Sequence, residues 1–269
     1  MAAPSSETLK VSIITVCFNS DSTIRYTLDS VRSQSYANIE HIIVDGGSSD
    51  RTMDIVAEYR EWLGPVVSEP DRGLYDAMNK GIAMASGDII GILNSDDFYE
   101  SDDVIEVVAA AFLSDPDLDI LFGDVVFVNP SDLETVTRFY GAGHFRPWKL
   151  RFGWMPPHPA TFVTKAVYEK HGKYRLDMKI SADFEMFVRW LGRAKLKYRW
   201  VDRVIVRMRA GGLSTGGLKS SLILNREIVR ACKENGLYTN LMLVLTKIPF
   251  KFLELLRHPR RVDDQGKYL

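Results

Sequence analysis

The sequence predicts an α/β protein with a mostly parallel central sheet flanked by helices, followed by a helical extension at the C-terminus. Short, β-branched apolar runs alternate with segments of helical periodicity four times within the first hundred residues, which is the pattern of βαβ units. Polar turns rich in glycine, asparagine and aspartate separate these runs. Because parallel strands end at one edge of a sheet, we expect a ligand-binding crevice at their carboxyl ends.

The first half of the chain contains four predicted strands. Ile24, Leu28 and Val31 have the i, i+4, i+7 spacing of a helix after the first strand, and Ser20 or Asp21 would cap it. A glycine-rich turn then leads into a second helix. The predicted strands span 11–16, 41–44, 66–67 and 88–93, and a third helix spans 73–85.

The second half is less regular. An apolar run at 120–128 predicts a strand, with which 135–140 would pair as an antiparallel ribbon. The glycine-rich segment 211–217 predicts a boundary between a domain at 1–217 and a helical extension at 218–269. The remaining predictions are helices at 102–113, 165–171 and 181–192, a loop at 141–158 and a strand at 197–209.

Composition excludes several classes of protein. With 269 residues and 46% hydrophobic content, the chain can fill one large core or two small ones. A net charge of -1 argues against a nucleic-acid binder. Cys17 and Cys232 lie far apart and lack the spacing of a metal site, so we expect a reducing compartment and no disulfide. The polar start of the chain does not resemble a secretory signal, so we expect a cytoplasmic protein.

The end of the chain has a different character. Residues 218–233 have the pattern of an amphipathic helix, and 241–256 are very apolar but interrupted by Lys247, Pro249 and Lys251. A basic cluster follows at 257–261. An apolar helical face beside basic residues is typical of a helix on an anionic membrane surface, which predicts peripheral contact through 241–261 on the cytoplasmic face of the inner membrane. The alternative is a helix that packs on the domain or forms a dimer contact.

Acidic side chains follow two of the predicted strands. Asp45 comes directly after the second strand, and Asp96 with Asp97 follow the fourth. These carboxylates would meet at the edge where open α/β sheets bind nucleotides, and a hard cation such as Mg²⁺ or Mn²⁺ would bridge them to phosphate oxygens. Asp71 and Arg72, after the third strand, are candidates to read a base or hold a phosphate. The alternative is that these residues are solvated or cap the following helices.

Four motifs follow one another at 11–19, 42–50, 69–81 and 94–97. In this order and spacing they resemble an inverting glycosyltransferase of family 2, which has the GT-A fold. The similarity extends over about residues 9–217 and is nearest to bacterial enzymes that build exopolysaccharide or O-antigen units, including the colanic-acid type. It implies a nucleotide-binding half at about 9–100 and an acceptor half at about 101–217. The motifs are Val-Ser-Ile-Ile-Thr-Val-Cys-Phe-Asn at 11–19, Ile-Ile-Val-Asp-Gly-Gly-Ser-Ser-Asp at 42–50, Glu-Pro-Asp-Arg-Gly-Leu-Tyr-Asp-Ala-Met-Asn-Lys-Gly at 69–81 and Asn-Ser-Asp-Asp at 94–97.

The resemblance implies roles for residues in the nucleotide half. Asp96 and Asp97 match the DxD-like motif, whose last carboxylate binds Mg²⁺ or Mn²⁺ on the diphosphate. Here the motif is Ser-Asp-Asp rather than Asp-x-Asp, which leaves the division of roles within the pair open. The residues implied to contact the nucleotide are Thr15, Asn19, Asp45, Asp71 and Arg72.

The resemblance also places the catalytic base in the second half. Members of the family carry an Asp at the start of a helix like the one predicted here, and this implies Asp183, with Glu185 as the second choice. Such a base takes the proton from an acceptor hydroxyl as its oxygen attacks the anomeric carbon. From the residues alone, a favourable interaction with the helix dipole is the preferred explanation of Asp183 in a first helical turn.

Four further residues are candidates on the acceptor side or at the diphosphate. His158 lies in a segment that resembles the acceptor side of the family, although a structural role in the loop fits it equally. Trp148 and Trp154 would stack on a sugar or anchor the core. Arg209 begins a segment that resembles a flexible loop closing over the donor, and either Arg207 or Arg209 would then meet the diphosphate.

The function implied is transfer of a sugar from a nucleotide-sugar donor, with a UDP-sugar favoured, to a glycan or lipid-linked acceptor in cell-surface polysaccharide synthesis. The reaction would depend on a metal and invert the anomeric centre. One alternative is transfer to a polyprenyl phosphate, and another is a catalytically silent nucleotide-binding scaffold. The sequence leaves the donor sugar, the acceptor and the oligomeric state open.

Overall fold

The computed structural model describes residues 8–211 and 217–247. Nine strands in these residues form one sheet, in which eight follow the order β3-β2-β1-β4-β8-β6-β9-β5. Strand β7 pairs with residues 125–129 of β6, beyond the residues that pair with β8. The strands are β1 (Val11–Cys17), β2 (Ile39–Asp45), β3 (Val66–Ser68), β4 (Ile89–Ile92), β5 (Phe98–Tyr99), β6 (Ile120–Asn129), β7 (Asp132–Tyr140), β8 (Thr161–Thr164) and β9 (Tyr198–Arg209). The α-helices are α1 (Ile24–Arg32), α2 (Thr52–Glu58), α3 (Leu74–Met84), α4 (Val104–Leu113), α5 (Lys165–His171), α6 (Ala182–Phe187), α7 (Gly217–Glu234) and α8 (Leu241–Leu245).

The first half is the predicted parallel sheet. Strand β1 lies between β2 and β4, with Val11 opposite both Ile39 and Ile89, and all three strands run in the same direction. Every residue of β1 is buried, as expected for a strand covered by helices on both faces. The strands therefore end together, and the loops that follow β1, β2 and β4 share one edge of the sheet.

The second half of the sheet is mixed. Strand β8 runs antiparallel to both β4 and β6, whereas β9 runs parallel to β6. The predicted ribbon exists, because β7 pairs antiparallel with β6. Strands β5 and β8 have two and four residues, too few for an apolar pattern to be recognised, and the sequence did not predict them.

Three local predictions differ from the structure. The predicted helix at 181–192 is α6 followed by a π-helical turn, Val188–Arg193, which buries Trp190. The predicted loop at 141–158 contains a 3₁₀ helix, Pro147–Phe152, that ends at a left-handed glycine, Gly153. The side chain of Ser20 does not cap α1; its carbonyl accepts from the Ile24 amide at 2.9 Å.

Helix α7 packs into the same core as the sheet. Its residues Ile228, Ala231 and Cys232 are buried in one cluster with Ile14 of β1 and Trp190. The helix that follows the predicted boundary at residue 217 therefore completes the core around α6. The division of the chain at that residue stays a prediction.

The C-terminal part is described only as far as residue 247. Helix α8 covers the first five residues of the predicted apolar segment. Residues 248–261, including the basic cluster, lie outside the described residues. Among the helices of 8–211 and 217–247, none is both long enough and apolar enough to cross a bilayer.

Candidate active site

The loops after β1, β2 and β4 are fastened to one another at the carboxyl edge of the sheet. The backbone amide of Asn19 donates to Ser48 Oγ at 2.8 Å, and the Ser49 amide donates to Asn19 Oδ1 at 2.9 Å. Asn19 has a positive φ of 49°, a conformation that asparagine tolerates better than most residues. Ser20 Oγ and Ser95 Oγ lie 2.8 Å apart and join the β1 loop to the β4 loop. The predicted residues Asn19, Asp45 and Asp96 thus lie at one edge of the sheet, with Asp45 fully buried beneath the loops.

Asp45 organises the turn that follows its own strand. One carboxylate oxygen accepts from the amides of Gly47 and Ser48, at 3.1 and 3.0 Å, and from Ser68 Oγ at 2.6 Å. The other oxygen accepts a short bond from the Ser48 hydroxyl. Burial raises the pKa of Asp45, but these hydrogen bonds outweigh burial and hold the pKa below its usual range. The carboxylate is therefore an ionised anchor beneath the crevice.

Asp71 lies directly over the Gly46 backbone. A Cβ placed on Gly46 would be 2.6 Å from Asp71 Oδ2 and 3.4 Å from the ring of Phe18, so a larger residue here would displace the Asp71 carboxylate. Phe18 is 62% exposed beside them. An exposed aromatic next to a carboxylate offers a flat apolar face and an acceptor, which suits a nucleobase. Arg72 is exposed and ion-paired with Asp76 at 3.0 Å.

Sequence reasoning missed Phe18, although a signal was available. An aromatic residue in a polar turn, directly after a fully buried strand, has no obvious core to enter. Thr15 shows the opposite case, because the structure buries it completely and pairs its hydroxyl with His41 Nε2 at 2.9 Å. Burial lowers the pKa of His41 to about 3, so the ring is neutral. Thr15 therefore exposes no surface to the crevice.

Asp96 and Asp97 form a carboxylate pair at the end of β4. Asp97 is only 2% exposed. Burial, and then the neighbouring Asp96 charge, raise the pKa of Asp97 well above its usual range, and burial also raises the pKa of Asp96. Asn94 Nδ2 donates to Asp97 Oδ2 at 3.1 Å, and the Arg209 backbone amide is a second donor. Thr27 Oγ1 fixes the turn by donating to the Asp97 carbonyl at 2.7 Å.

The donor set around this pair fits a divalent cation that also binds the substrate. Within the part of the chain that the structure describes, there is no cluster of three or more His, Cys, Asp or Glu side chains that would hold a metal alone. The protein offers two carboxylates, and the adjacent Asn94 Oδ1 is buried without a hydrogen-bond partner. Mg²⁺ and Mn²⁺ prefer oxygen ligands, and Mg²⁺ typically binds one or two carboxylates together with substrate phosphates.

Arg209 is the cation beside the carboxylate pair. Its guanidinium lies 4.7 Å from the centre of the Tyr26 ring and 5.8 Å from that of Phe98. Its Nε and Nη2 are buried without hydrogen-bond partners among the described residues. Arg207, two residues earlier, is instead paired with Glu100 at 2.7 Å. Arg209 is therefore the arginine whose donors remain open to a phosphate.

Asp183 begins the first turn of α6 and faces α3. Burial raises its pKa to about 6, against the opposing effects of a 2.7 Å bond from the Phe184 amide and a 3.3 Å bond from the Tyr75 hydroxyl. Tyr75 also donates to the Ile180 carbonyl at 2.6 Å. Because Tyr75 lies four residues after Asp71, the Asp183 carboxylate adjoins the segment that contains Asp71 on the nucleotide side. A half-buried carboxylate with this pKa suits a general base near neutral pH.

Glu185 is directed into the core rather than the crevice. It is almost completely buried, and its oxygens accept from Asn235 Nδ2 at 3.0 Å and Arg189 Nη2 at 3.1 Å. Both oxygens are thus engaged in holding α6 against α7 and the π-helical turn. This geometry favours Asp183 over Glu185 as the base.

His158 adjoins the Asp183 neighbourhood through two tyrosines. Its Nε2 makes a short hydrogen bond with the Tyr174 hydroxyl, and Tyr174 stacks on Tyr75 with ring centres 5.5 Å apart. Burial lowers the pKa of His158 to about 4, so the ring is neutral at physiological pH. Trp154 is partly buried, whereas Trp148 is exposed and packs edge-on against Phe152.

The fold and the site define an α/β enzyme of the glycosyltransferase class. Residues 12–170 match the family described as "Glycosyl transferase family 2", and the chain belongs to that family. An uncharacterized glycosyltransferase of Mycobacterium tuberculosis H37Rv is 36% identical over 181 residues, covering 66% of this chain and 68% of the relative. A PGL/p-HBAD biosynthesis glycosyltransferase of Mycobacterium bovis BCG is 29% identical over 251 residues, covering 92% and 91%.

Solved structures share the fold at lower identity. Residues 1–349 of S. aureus TarS, in complex with UDP, superpose with a TM-score of 0.61 and 19% identity over 86% of this chain and 67% of that one. The chain spans 41% of a longer TarS structure. The mannosyltransferase PcManGT of Pyrobaculum calidifontis, in complex with GDP-Man and Mn²⁺, superposes with a TM-score of 0.57 and 17% identity, covering 93% and 81%.

Proposed function

We propose that this glycosyltransferase moves a sugar from a nucleotide-sugar donor, with a UDP-sugar favoured, to a hydroxyl of a glycan or lipid-linked acceptor, with inversion at the anomeric carbon. The observation that carries the proposal is Asp183, a half-buried carboxylate with a pKa near 6. Its carboxylate lies beside Tyr75, and Tyr75 follows Asp71 in the segment that we assign to nucleotide binding.

The reaction assigned to this chain is a single displacement. Asp183 accepts the proton of the acceptor hydroxyl while that oxygen bonds to the anomeric carbon, and the bond from this carbon to the diphosphate oxygen breaks. One base and one direct attack invert the configuration. Asp96 and Asp97 would hold a divalent cation, which when bound supplies positive charge to the departing diphosphate. Arg209 would offer the same phosphates its Nε and Nη2 groups, which bind no other group in the part of the chain that the structure describes.

The nucleotide side of the crevice supports recognition of a base. Phe18 presents an exposed ring on which a base would stack, and Asp71 places a carboxylate beside it. Asn19 and Asp45 shape the loops beneath, and Arg72 is exposed at the rim. A UDP donor is favoured because TarS, which shares the fold, was solved with UDP. Because the mannosyltransferase was solved with GDP-Man, a GDP-sugar is the second donor class to be tested.

A lipid-linked acceptor is favoured by the exposed apolar surface next to α8. Trp148 is 58% exposed, Tyr238 67% and Met242 80%. Arg151 joins the 3₁₀ helix that contains Trp148 to the residues before α8, because it donates to the Tyr238 carbonyl at 2.7 Å and its guanidinium lies over the Tyr238 ring. The chain continues into the basic cluster at 257–261. Aromatic and aliphatic side chains beside cations suit an anionic bilayer surface. The Mycobacterium bovis relative is named a PGL/p-HBAD biosynthesis glycosyltransferase.

The activity is tested by incubating the full chain with a panel of UDP-, GDP- and dTDP-sugars and measuring release of nucleoside diphosphate, with and without Mn²⁺. We expect turnover with one nucleotide class, dependent on the metal and lost in Asp183→Asn. Asp183→Asn should still bind the nucleotide, because only the base is changed. Nucleotide binding without any turnover across the panel and a set of lipid-linked acceptors would favour the silent scaffold instead.

Membrane contact is tested separately by flotation with phosphatidylglycerol and phosphatidylcholine vesicles. The protein should float with the anionic vesicles, and Met242→Asp together with Tyr238→Ser should weaken that binding. Trp62→Ser is the matched control, because Trp62 is an equally exposed aromatic residue after α2, in the nucleotide half. Equal flotation of all variants would contradict the assignment of this surface.

A further inference from the structure

One carboxylate on helix α7, that of Glu227, hydrogen-bonds to the segment 179–181, which directly precedes the helix that carries Asp183. Glu227 is buried in the middle of α7, and its Oε1 accepts from the Lys179 amide at 2.7 Å. Its Oε2 accepts from the amides of Ile180 and Ser181, both at 3.0 Å. Three consecutive backbone N–H groups therefore converge on one side chain, directly before the first turn of α6.

The same segment is held from the opposite side by the nucleotide half. The Ile180 carbonyl accepts from the Tyr75 hydroxyl at 2.6 Å, while the Ile180 amide is bound to Glu227. Both polar groups of this residue's backbone are thus fixed, one by α3 and one by α7. The Ser181 carbonyl then accepts from the Glu185 amide at 2.9 Å and starts the helix.

We propose that Glu227 is a positioning residue for the transferase reaction: its carboxylate gathers the amides of 179–181 and thereby sets where Asp183 lies relative to Tyr75. The proposal rests on the assignment of Asp183 as the base. It gives α7 a role in the chemistry, although that helix lies beyond the matched family region at residues 12–170. A carboxylate suits this place because its two oxygens can accept all three bonds without supplying a donor.

The charge of Glu227 also acts on Asp183. The groups that face Asp183 are Tyr75 on α3, Tyr174 after α5 and Glu227 on α7. Of these, Glu227 carries a negative charge, and that charge raises the pKa of Asp183 in addition to the larger effect of burial. The positioning residue would thus also make the base stronger.

The test uses the full chain with Mn²⁺ and the nucleotide sugar that the wild type turns over. Glu227→Gln keeps the size and shape of the side chain. Its NH2 group would face one of the three backbone N–H groups, and because two donors cannot hydrogen-bond to each other, the 179–181 segment should shift. A misplaced catalytic group lowers kcat, and we expect a fall of about 10–100-fold. The donor KM and the Kd for UDP should change less than threefold, because the nucleotide side is untouched. The acid limb of the kcat profile should move to lower pH, because the negative charge near Asp183 is gone.

Arg230→Gln is the matched control on the same helix. Arg230 is exposed, and its ion pairs are with Asp177 and Glu234 rather than with the 179–181 segment. Its kcat and acid limb should match the wild type. Glu227→Asp, which retains the charge on a shorter side chain, should lower kcat while leaving the acid limb where it was.

The outcomes separate this inference from the proposed function. If the wild type has no turnover, or Asp183→Asn keeps full kcat, the assignment of the base fails first. If both behave as expected but Glu227→Gln keeps the wild-type kcat and pH profile, the positioning role is overturned. Hydrogen exchange on the wild type provides a check if the variants do not fold. Protection of the 179–181 amides supports the contact, and exchange at the rate of an open loop overturns it.

Discussion

The Tyr75 hydroxyl lies 3.3 Å from Asp183 Oδ1 and donates to the Ile180 carbonyl at 2.6 Å. A residue at the start of the third helix thus contacts the candidate base 108 positions later in the chain. Stacking of Tyr75 on Tyr174 holds the ring in place. This contact is one of the connections between the nucleotide half and the acceptor half at the site, together with the bond from the Arg209 backbone amide to Asp97.

Replacing this tyrosine should move the titration of the base. The hydrogen bond from Tyr75 favours the ionised form of Asp183, so Tyr75→Phe should raise the pKa of Asp183 above about 6. Because the base must be deprotonated to act, the acid limb of the kcat profile should move to higher pH. At pH 5.5, kcat should fall several-fold more than at pH 8. An acid limb identical to that of the wild type would contradict a contact between these two groups.

The part of the candidate site that could be predicted from the sequence is the set of residues that follow the ends of parallel strands. Asp45, Asp96 and Asp97 follow apolar runs whose strand assignment needs no tertiary information, and the parallel order places their ends together. Phe18 and Thr15 lie within one predicted motif, yet one faces the crevice and the other is buried. The side of the sheet on which each residue lies depends on the covering helices, which the local pattern does not specify.

The second half was harder to predict for a physical reason. Strands β5 and β8 are too short to show periodicity, and the direction of β9 beside β6 depends on a pairing between segments about 80 residues apart. The roles of Tyr75 and Glu185 likewise depend on contacts distant in sequence, with Asp183 and Asn235. The resemblance to a known family identified Asp183, but the contacts around it came only from the structure.

Gly46→Ala should impair donor binding more than stability. The new methyl group would lie 2.6 Å from Asp71 Oδ2, so the Asp71 carboxylate would have to move, whereas its 3.4 Å distance to the Phe18 ring is an ordinary van der Waals contact. Loss of one charged contact to the donor is worth about 1.5–3 kcal/mol, and we expect the donor KM to rise about 10–100-fold on that basis. Gly64→Ala is a control, because its Cβ would meet Glu40 and His41 before β3. A donor KM raised equally in both would refute a local effect.

Arg209→Ala should weaken binding of the donor diphosphate. The Arg209 Nε and Nη2 lie beside Asp96 and Asp97 and have no hydrogen-bond partner within 8–211 and 217–247, and hydrogen bonds from an arginine to phosphate are worth about 1.5–3 kcal/mol. A rise of about 10–100-fold in donor KM is therefore expected. Arg207→Ala serves as the comparison, since it removes the 2.7 Å ion pair with Glu100 and should lower Tm while sparing donor KM. An unchanged donor KM in Arg209→Ala would remove this role.

The carboxylate pair should cost the protein stability in the absence of a cation. Asp97 is buried, and the adjacent Asp96 charge opposes its ionisation, so Asp97→Asn removes a repulsive buried charge. The apparent Tm at pH 7 without metal should rise by about 2–4 °C for each kcal/mol gained. The increase in Tm that the wild type shows with UDP and Mn²⁺ should disappear in this variant, because that ligand no longer binds the native state. Asp88→Asn, at the other end of the same strand, should keep the full increase. A Mn²⁺-dependent rise in Tm that survives Asp97→Asn would mean that the cation is bound elsewhere.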